Sequence, residues 1–280
     1  MSQENRDQVE FWSSHVGQKW VRRQASLDAL IQPVLDGIMA RADLHSGQRV
    51  LDIGCGSGAA SLAAAEAVGD AGAVLGVDVS PPLLNLARER AAGLPHVNFH
   101  HGDATELDLD PPYHRLISRF GVMFFANPAA SFAQLARQMH PGARLSFAAW
   151  GQIPENPFFT LPARAARETL GAMPKSDPDA PGPFAFREPE RIEQVLYDAG
   201  WKEITCEVVA LNLTPVGGPD ALADQMCDIG PAGSAITHFE ATEAQIADLR
   251  QAIADALQPF AQNDTFHLPA QINFVTATKP

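Results

Sequence analysis

The sequence is poor in cysteine, in positive charge and in long apolar stretches. Its three cysteines, Cys55, Cys206 and Cys227, form no Cys-x-x-Cys pair, so neither a disulfide framework nor a zinc site is predicted. Twenty Lys and Arg oppose 33 Asp and Glu, and the formal charge of −13 argues against nucleic acid as a partner. No stretch approaches about 18 uninterrupted apolar residues, and the N-terminus is polar. We therefore expect a cytoplasmic protein without a membrane span.

The middle of the chain has the pattern of an α/β domain. Between Arg49 and Trp150, short apolar runs alternate with stretches rich in Ala, Leu, Arg and Glu, which is typical of β-α-β units. Seven strands are predicted, at 49–53, 73–77, 97–100, 115–118, 143–149, 201–210 and 266–276. We expect a doubly wound α/β fold with a mostly parallel, seven-stranded sheet, in which the last two strands pair antiparallel at the edge.

Helical segments surround this predicted core. The apolar spacing over 20–40 predicts one N-terminal helix, 151–190 is a proline-rich insertion, and Thr242 with Gln245 predicts a capping box that begins a later helix. The predicted organisation is a single domain with a discontinuous cap. Its parts are an N-terminal helical segment 1–45, a core 46–150, a cap insertion 151–190, a core continuation 191–215, cap helices 216–262 and a final edge strand 263–280.

The most informative segment is VLDIGCGSG, at 50–58, where an apolar strand runs into three glycines and then into a helix. Glycine allows positive φ and close approach of a ligand to the backbone, and the helix start offers free N–H groups. Gly54, Gly56 and Ala59 also fit the fingerprint of a dinucleotide fold, with Asp78 as the ribose acid. Asp52 disfavours that alternative, because a carboxylate beside the turn would repel a pyrophosphate but suit a cationic sulfonium.

Four segments in order, VLDIGCGSG, GVDVSPPLL, HGDATEL and ISRFGVMFF, resemble the motifs of class I methyltransferases, especially those of ubiquinone and menaquinone biosynthesis. The resemblance spans about 46–150 and implies a Rossmann-like fold. It also implies S-adenosylmethionine as cofactor, S-adenosylhomocysteine as product, and a small-molecule methyl acceptor. Two alternatives stay open: an NAD(P)-dependent oxidoreductase that uses the same glycine turn, and a non-catalytic protein that binds S-adenosylmethionine.

The resemblance also implies roles for individual residues. Asp52 and the glycine turn would hold the methionine end with Ser118 beside it, Asp78 would accept from the ribose hydroxyls, and Leu83, Asp103 and the backbone of Ala104 would contact adenine. The cofactor-binding residues implied in this way are Trp20, Asp52, Gly54, Cys55, Gly56, Gly58, Asp78, Val79, Leu83, Asp103, Ala104 and Ser118.

Some of these residues have simpler explanations. Asp103 is also suited to closing a turn, Leu83 to core packing, and Trp20 to packing in the N-terminal segment. Cys55 has no partner base nearby in sequence, so nucleophilic catalysis is not expected there. No metal site is predicted, although three histidines lie close together at 96, 100 and 101.

The acceptor side is predicted from the cap and from the end of strand four. Apolar side chains in the cap suit a small apolar or amphiphilic acceptor; they are Phe158, Phe159, Phe184, Phe186, Met226 and Phe239. Arg119 would bind an acceptor carboxylate. If the acceptor loses a proton, His238 is favoured as the base over His15, His114 and His267 because it lies in the cap. The methylated atom, O, N, S or C, and the choice between monomer and homodimer stay undetermined.

Overall fold

A computed structural model describes residues 3–106, 109, 112–262 and 265–280. Its strands are β1 Arg49–Ile53, β2 Ala73–Asp78, β3 Val97–His101, β4 Tyr113–Arg119, β5 Met139–Trp150, β6 Lys202–Leu213, β7 Ala261–Gln262, β8 Thr265–Phe266 and β9 Leu268–Thr278. Its helices are α1 Gln3–Ser13, α2 His15–Arg22, α3 Gln24–Leu30, α4 Gln32–Ala42, α5 Ala59–Val68, α6 Pro81–Arg90, α7 Pro128–Arg137, α8 Pro157–Thr169, α9 Pro189–Asp198, α10 Pro219–Asp228, α11 Gly230–His238 and α12 Glu243–Leu257.

Seven strands form one sheet in the order β3-β2-β1-β4-β5-β9-β6. Strands β1 to β5 pair with one another in parallel, and β9 is antiparallel to both β5 and β6. This confirms the doubly wound, mostly parallel, seven-stranded sheet. Strands β7 and β8 form a separate two-stranded ribbon.

The prediction that the final strand lies at the edge is wrong. Strand β9 lies between β5 and β6, and β6 forms the edge. The sequence pattern suggested one buried face for β9, but Asn273, Val275 and Ala277 on the opposite face are buried as well. Strand β6 instead exposes charged residues such as Glu203 and Glu207, which suits an unpaired edge.

Helices cover both faces of the sheet, as alternate residues of β5 illustrate. Ser146 donates a hydrogen bond to the carbonyl of Ile38 in α4 (3.5 Å). Its neighbour Phe147 points to the opposite face, where it stacks with Phe132 of α7 at 5.7 Å between ring centroids. Trp201, fully buried, fixes α7 by donating from Nε1 to the Phe132 carbonyl (3.2 Å).

The single helix predicted over 20–40 is instead divided among α2, α3 and α4. The breaks fall at Arg23 and Ile31, and Pro33 lies in the first turn of α4, where its missing N–H costs no helical bond. The apolar face is nevertheless buried: Leu30, Val34 and Ile38 are at most 1% exposed.

The cap consists of α8, α10, α11 and α12, which pack on one another above the sheet. Helix α12 begins with the predicted capping box between Thr242 and Gln245, and it buries Leu249, Ile253 and Leu257. Within the described part of the chain, no helix is both long and apolar enough to cross a bilayer.

Candidate active site

A cavity of about 950 Å³ lies at the carboxyl ends of the central strands, beneath the N-terminal helices and the cap. Of the predicted site residues, fifteen line it: Trp20, Asp52, Gly54, Cys55, Gly56, Asp78, Val79, Leu83, Asp103, Ala104, Arg119, Phe158, Phe159, Phe184 and His238. The structure therefore brings together residues that are spread over more than 200 positions in sequence. Gly58 and Ser118 do not line the cavity.

The glycine turn has the backbone conformation that glycine permits. Gly54, Gly56 and Gly58 have φ of 66°, 54° and 84°, in the left-handed region that other residues rarely adopt. The N–H groups of Gly54 and Cys55 both donate to the carbonyl of Val77 in β2 (2.8 and 3.1 Å), which fixes the turn against the neighbouring strand.

Gly58 lies on the side of the turn that faces away from the cavity. A Cβ there would lie 3.1 Å from the ring of Phe99 and 3.2 Å from Ala87, so it packs towards β3 and α6. Gly58 is also the N-cap of α5; its contact with cofactor stays a prediction.

Asp78, at the end of β2, holds the glycine turn and the start of α6 together. Its carboxylate accepts from the N–H of Gly56 and from the N–H of Ser80, both at 2.8 Å. Burial raises the pKa of Asp78, and these backbone N–H donors oppose the rise. The carboxylate lines the cavity in a fixed orientation.

Asp52 is fully buried at the level of the turn, and only one of its carboxylate oxygens is satisfied. Ser61 Oγ donates to Oδ2 (2.6 Å), whereas Oδ1 has no hydrogen-bond partner among the described residues. Burial raises the pKa of Asp52 to about 6, against the opposing effects of the Ser61 hydrogen bond and the positive charge of Arg119. An unpartnered buried carboxylate oxygen costs free energy unless a ligand supplies a donor.

Asp103 closes a turn, which is the role that the sequence allowed as an alternative to cofactor binding. Its Oδ1 accepts from the N–H and from Oγ1 of Thr105 (2.9 and 2.8 Å). Asp103 also lines the cavity with Ala104 and Leu83, so the turn positions it at the wall.

Ser118 was expected beside the ligand, but its hydroxyl makes hydrogen bonds within the protein and does not line the cavity. Fully buried, it donates from Oγ to the carbonyl of Ile53 (2.7 Å) and accepts from the N–H of Gly121 (3.2 Å). It therefore joins the end of β4 to the end of β1, directly beneath the glycine turn.

Arg119 belongs to a charge network that the sequence did not reveal. Its Nη2 donates to Asp28 Oδ1 of α3 (2.7 Å), and Asp28 Oδ2 also contacts Nη1 of Arg90 (3.0 Å) and accepts from Gln24 (2.6 Å). Arg90 in turn donates to the carbonyl of Ser57 in the glycine turn (2.8 Å). Asp28 lies 91 residues from Arg119, so no local motif predicts the pair.

Aromatic side chains form one side of the cavity, below the cap. The ring of Phe120 stacks on Trp150 at 4.4 Å between centroids and 1° between planes, and Trp150 is also parallel to Phe158 at 6.1 Å. Phe159 packs edge-on against Trp150 and Phe184. Phe158, Phe159 and Phe184 line the cavity as predicted, but Phe186, Met226 and Phe239 do not.

A second aromatic group closes the cavity from the N-terminal side. Trp12 packs edge-on against Trp20 (5.6 Å) and against Phe124 (5.5 Å). The carbonyl of Trp12 accepts from Ser80 Oγ (2.8 Å), so this segment is attached next to Asp78. Trp20 thus packs in the N-terminal segment and also lines the cavity; its contact with cofactor stays a prediction.

Of the predicted bases, His238 lines the cavity, at the end of α11 next to Thr237 and Ser234. His114 accepts at Nδ1 from the Arg49 N–H (3.0 Å) and packs against His140 at a tilt of 35°, at the start of β4 and β5 and away from the cavity lining. His267 is not among the lining residues, and the side chain of His15 lies outside the described part of the structure.

Comparison with known proteins shows which family the central segment resembles. A family model described as "Methyltransferase domain" matches residues 50–142. The chain is 33% identical over 144 residues to a trans-aconitate 2-methyltransferase of Methylobacterium nodulans, which covers 50% of the chain and 52% of the relative. It is 30% identical over 106 residues to a demethylmenaquinone methyltransferase of Staphylococcus aureus, covering 38% and 44%. The chain thus spans about half the length of these curated relatives.

The fold is similar to that of a Haemonchus contortus phosphoethanolamine N-methyltransferase, solved with S-adenosylhomocysteine. The TM-score is 0.53 with 22% identity, over 88% of this chain and 52% of that one. The resemblance seen in the four sequence motifs is therefore confirmed. Residues 50–142 match the methyltransferase-domain family.

Proposed function

We propose that the protein transfers the methyl group of S-adenosylmethionine to a small apolar or amphiphilic acceptor. The observation that carries the proposal is the charge of the cavity. Five carboxylates line it, those of Asp28, Asp52, Asp78, Asp103 and Asp228, against the cations of Lys19 and Arg119. A ligand with a sulfonium, an ammonium and a ribose diol suits such a wall, whereas the pyrophosphate of NAD does not.

In this proposal, residues at three strand ends each bind a different part of the cofactor. Asp78, fixed by Gly56 and Ser80, offers its remaining acceptor capacity to two ribose hydroxyls. Leu83, Asp103 and Ala104 form the wall for adenine. Asp52, with its unpartnered Oδ1, lies at the methionine end.

The bound cofactor supplies an activated methyl group, and transfer is an in-line displacement. The protein's tasks are to align the acceptor and to exclude water. The stacked rings of Phe120 and Trp150, with Phe158 and Phe184, suit an apolar portion of the acceptor. His238 is placed to take a proton from an acceptor O–H or protonated amine; an acceptor thiolate or activated carbon needs no such base.

Calorimetric titration tests the cofactor assignment directly. We expect micromolar binding of S-adenosylmethionine and S-adenosylhomocysteine and none of NAD. Asp78→Asn should abolish binding, because an amide cannot accept from both backbone N–H groups and both ribose hydroxyls. Asp70→Asn is the matched control, since Asp70 carries a fully exposed carboxylate away from the cavity.

Each alternative predicts a different outcome. Binding of NAD alone would replace the proposal with a dehydrogenase. Tight binding of S-adenosylmethionine without turnover on any member of a broad panel of phenols, amines, thiols and carboxylic acids would favour a binding protein. Turnover that His238→Ala removes, with cofactor affinity unchanged, would support His238 as the base.

A further inference from the structure

Lys19 of α2 contributes a positive charge to the cavity wall that no acid of the protein neutralises. Lysine and arginine each supply one side chain to the lining, those of Lys19 and Arg119. Arg119 donates to Asp28 (2.7 Å). The half-buried Lys19, by contrast, has no hydrogen bond or ion pair from its ammonium to any part of the chain that the structure describes. A partly desolvated cation without a partner is stabilised by an anionic ligand.

The helix that carries Lys19 offers it no carboxylate. Helix α2 contains neither Asp nor Glu, and the positions three and four residues away from Lys19 are His15, Val16, Arg22 and Arg23. These positions are the neighbours of Lys19 on the helix surface. An anion bound at Lys19 therefore competes with no acid of α2.

Lys19 lies on the side of α2 that is turned towards the cap. Successive helical residues are rotated by about 100°, so Gly17 and Lys19 lie on nearly opposite sides of the helix. Gly17 faces Ser80, whose N–H binds the carboxylate assigned to the ribose; a Cβ on Gly17 would lie 2.9 Å from Ser80 Oγ. Arg23, one turn after Lys19 on the same side, binds Asp228 of the cap (2.7 Å). Lys19 thus belongs to the cap side of the cavity.

The cap side of the cavity suits an apolar body joined to a single negative charge. Phe158, Phe159 and Phe184 provide the apolar wall. Because five carboxylates line the cavity against two cations, a phosphate dianion would be repelled more strongly than one carboxylate. An ammonium is a compact point charge with three donors, which is enough to bind a carboxylate.

We propose that the methyl acceptor carries a carboxylate and that the ammonium of Lys19 binds it, while the aromatic rings contact the apolar part of the acceptor. This inference rests on the proposed function and names the acceptor class within it, an amphiphilic carboxylic acid. It places the acceptor carboxylate on Lys19 instead of on Arg119, whose guanidinium is shared with Asp28.

Carboxylic acids and their primary amides test this assignment, because each pair differs in charge and hardly in shape. Phenylacetate, indole-3-acetate and decanoate, each beside its amide, are titrated by calorimetry into the protein saturated with S-adenosylhomocysteine. At least one acid should bind about 10-fold or more tightly than its amide. Lys19→Gln should abolish this preference, and Lys19→Arg should keep it. Lys202→Gln is the control, since Lys202 contacts Tyr197 and does not line the cavity.

The affinity for S-adenosylmethionine, measured in the same variants, separates the acceptor from the cofactor. Lys19→Gln should leave it unchanged, and a marked loss would assign Lys19 to the cofactor and overturn the inference. Equal binding of acids and amides, or binding of no acid, would also overturn it. A preference that Arg119→Gln removes and Lys19→Gln does not would move the carboxylate to Arg119, with the same consequence. If the wild type does not bind S-adenosylmethionine at all, the proposed function fails and this inference with it.

Discussion

Gly54 and Gly121 pass so close to each other that neither position has room for a side chain. A Cβ on Gly54 would lie 2.6 Å from the Cα of Gly121, and a Cβ on Gly121 would lie 2.5 Å from the carbonyl oxygen of Ile53. The loop after β4 therefore supports the glycine turn after β1. The shape of this end of the cavity depends on a contact between segments 67 residues apart.

Gly121→Ala should damage binding through this contact. The added methyl group has no space, so the backbone of the glycine turn must move, at a cost of about 1–3 kcal/mol in the free energy of unfolding. We expect at least about a tenfold loss of affinity for S-adenosylhomocysteine. Gly218→Ala is the control, because a Cβ there meets no atom within 4 Å. Urea denaturation and calorimetry that showed equal behaviour of the two variants would contradict the role given to Gly121.

Asp52→Asn should stabilise the unliganded protein while weakening cofactor binding. Burial raises the pKa of Asp52 from 3.8 to about 6, so the folded state holds this proton more tightly than the unfolded state. The contribution of Asp52 to stability is therefore greatest below pH 4 and is lost as the pH rises through 6. At pH 8 the buried charge costs the wild type about 3 kcal/mol.

The measurement is the melting temperature of the unliganded proteins at pH 8 and pH 5. We expect Asp52→Asn to exceed the wild type at pH 8 by several degrees and the difference to shrink at pH 5, where the wild-type carboxyl is largely protonated. Asp70→Asn, at an exposed position, should melt like the wild type at both pH values. A difference that does not change with pH would exclude Asp52 as its source.

The parts of the fold that local sequence governs were predictable. The limits of β1 agree with the structure to the residue, because an apolar run leads directly into a glycine turn. The position of β9 was not predictable in the same way. Alternation along one strand shows which residues are apolar, but the choice of neighbouring strands depends on the whole sheet.

The same distinction holds within the site. Asp78 and the glycine turn were identified because their roles depend on residues next to them in sequence. Gly121 and Asp28 were missed because their partners are distant along the chain, at Gly54 and Arg119. Ser118 was predicted to lie beside the ligand, but it does not line the cavity. A serine at the end of a strand looks alike in sequence whether its hydroxyl faces a ligand or the carbonyl of the neighbouring strand.

Phe120 allows backbone strain to be separated from aromatic stacking. It adopts φ of 64°, which is unfavourable for a residue with a Cβ by about 1–2 kcal/mol, yet its ring stacks on Trp150. Both Phe120→Ala and Phe120→Gly remove the ring, but only glycine relieves the strain. We therefore expect Phe120→Gly to be more stable than Phe120→Ala by about 1 kcal/mol in urea denaturation.

The two Phe120 variants should also separate the two ends of the cavity. Because we propose that Phe120 contacts the acceptor, both variants should bind S-adenosylhomocysteine as the wild type does, while KM for an acceptor found by screening should rise in both. Equal stability of the two variants would show that the left-handed conformation is not strained. A large loss of S-adenosylhomocysteine affinity would place Phe120 at the cofactor instead.

The three cysteines should be unreactive in the native protein, including the one in the glycine turn. Burial raises the pKa of Cys55 well above its usual value, with further contributions from the negative charges of Asp78 and Asp52. Burial likewise raises the pKa of Cys206 to about 12 and that of Cys227 to about 11. At pH 8 the thiolate fraction is therefore very small, and the thiolate is the form that reacts. We expect slow reaction with a disulfide reagent in the native state and three equivalents of reacted thiol after denaturation in guanidinium chloride.

Cys55→Ala should retain the affinity for S-adenosylmethionine, because only the small size of the side chain matters at this position of the turn. Rapid labelling of Cys55 in the native protein would instead indicate a nucleophilic thiol. Loss of turnover in Cys55→Ala with binding intact would indicate the same.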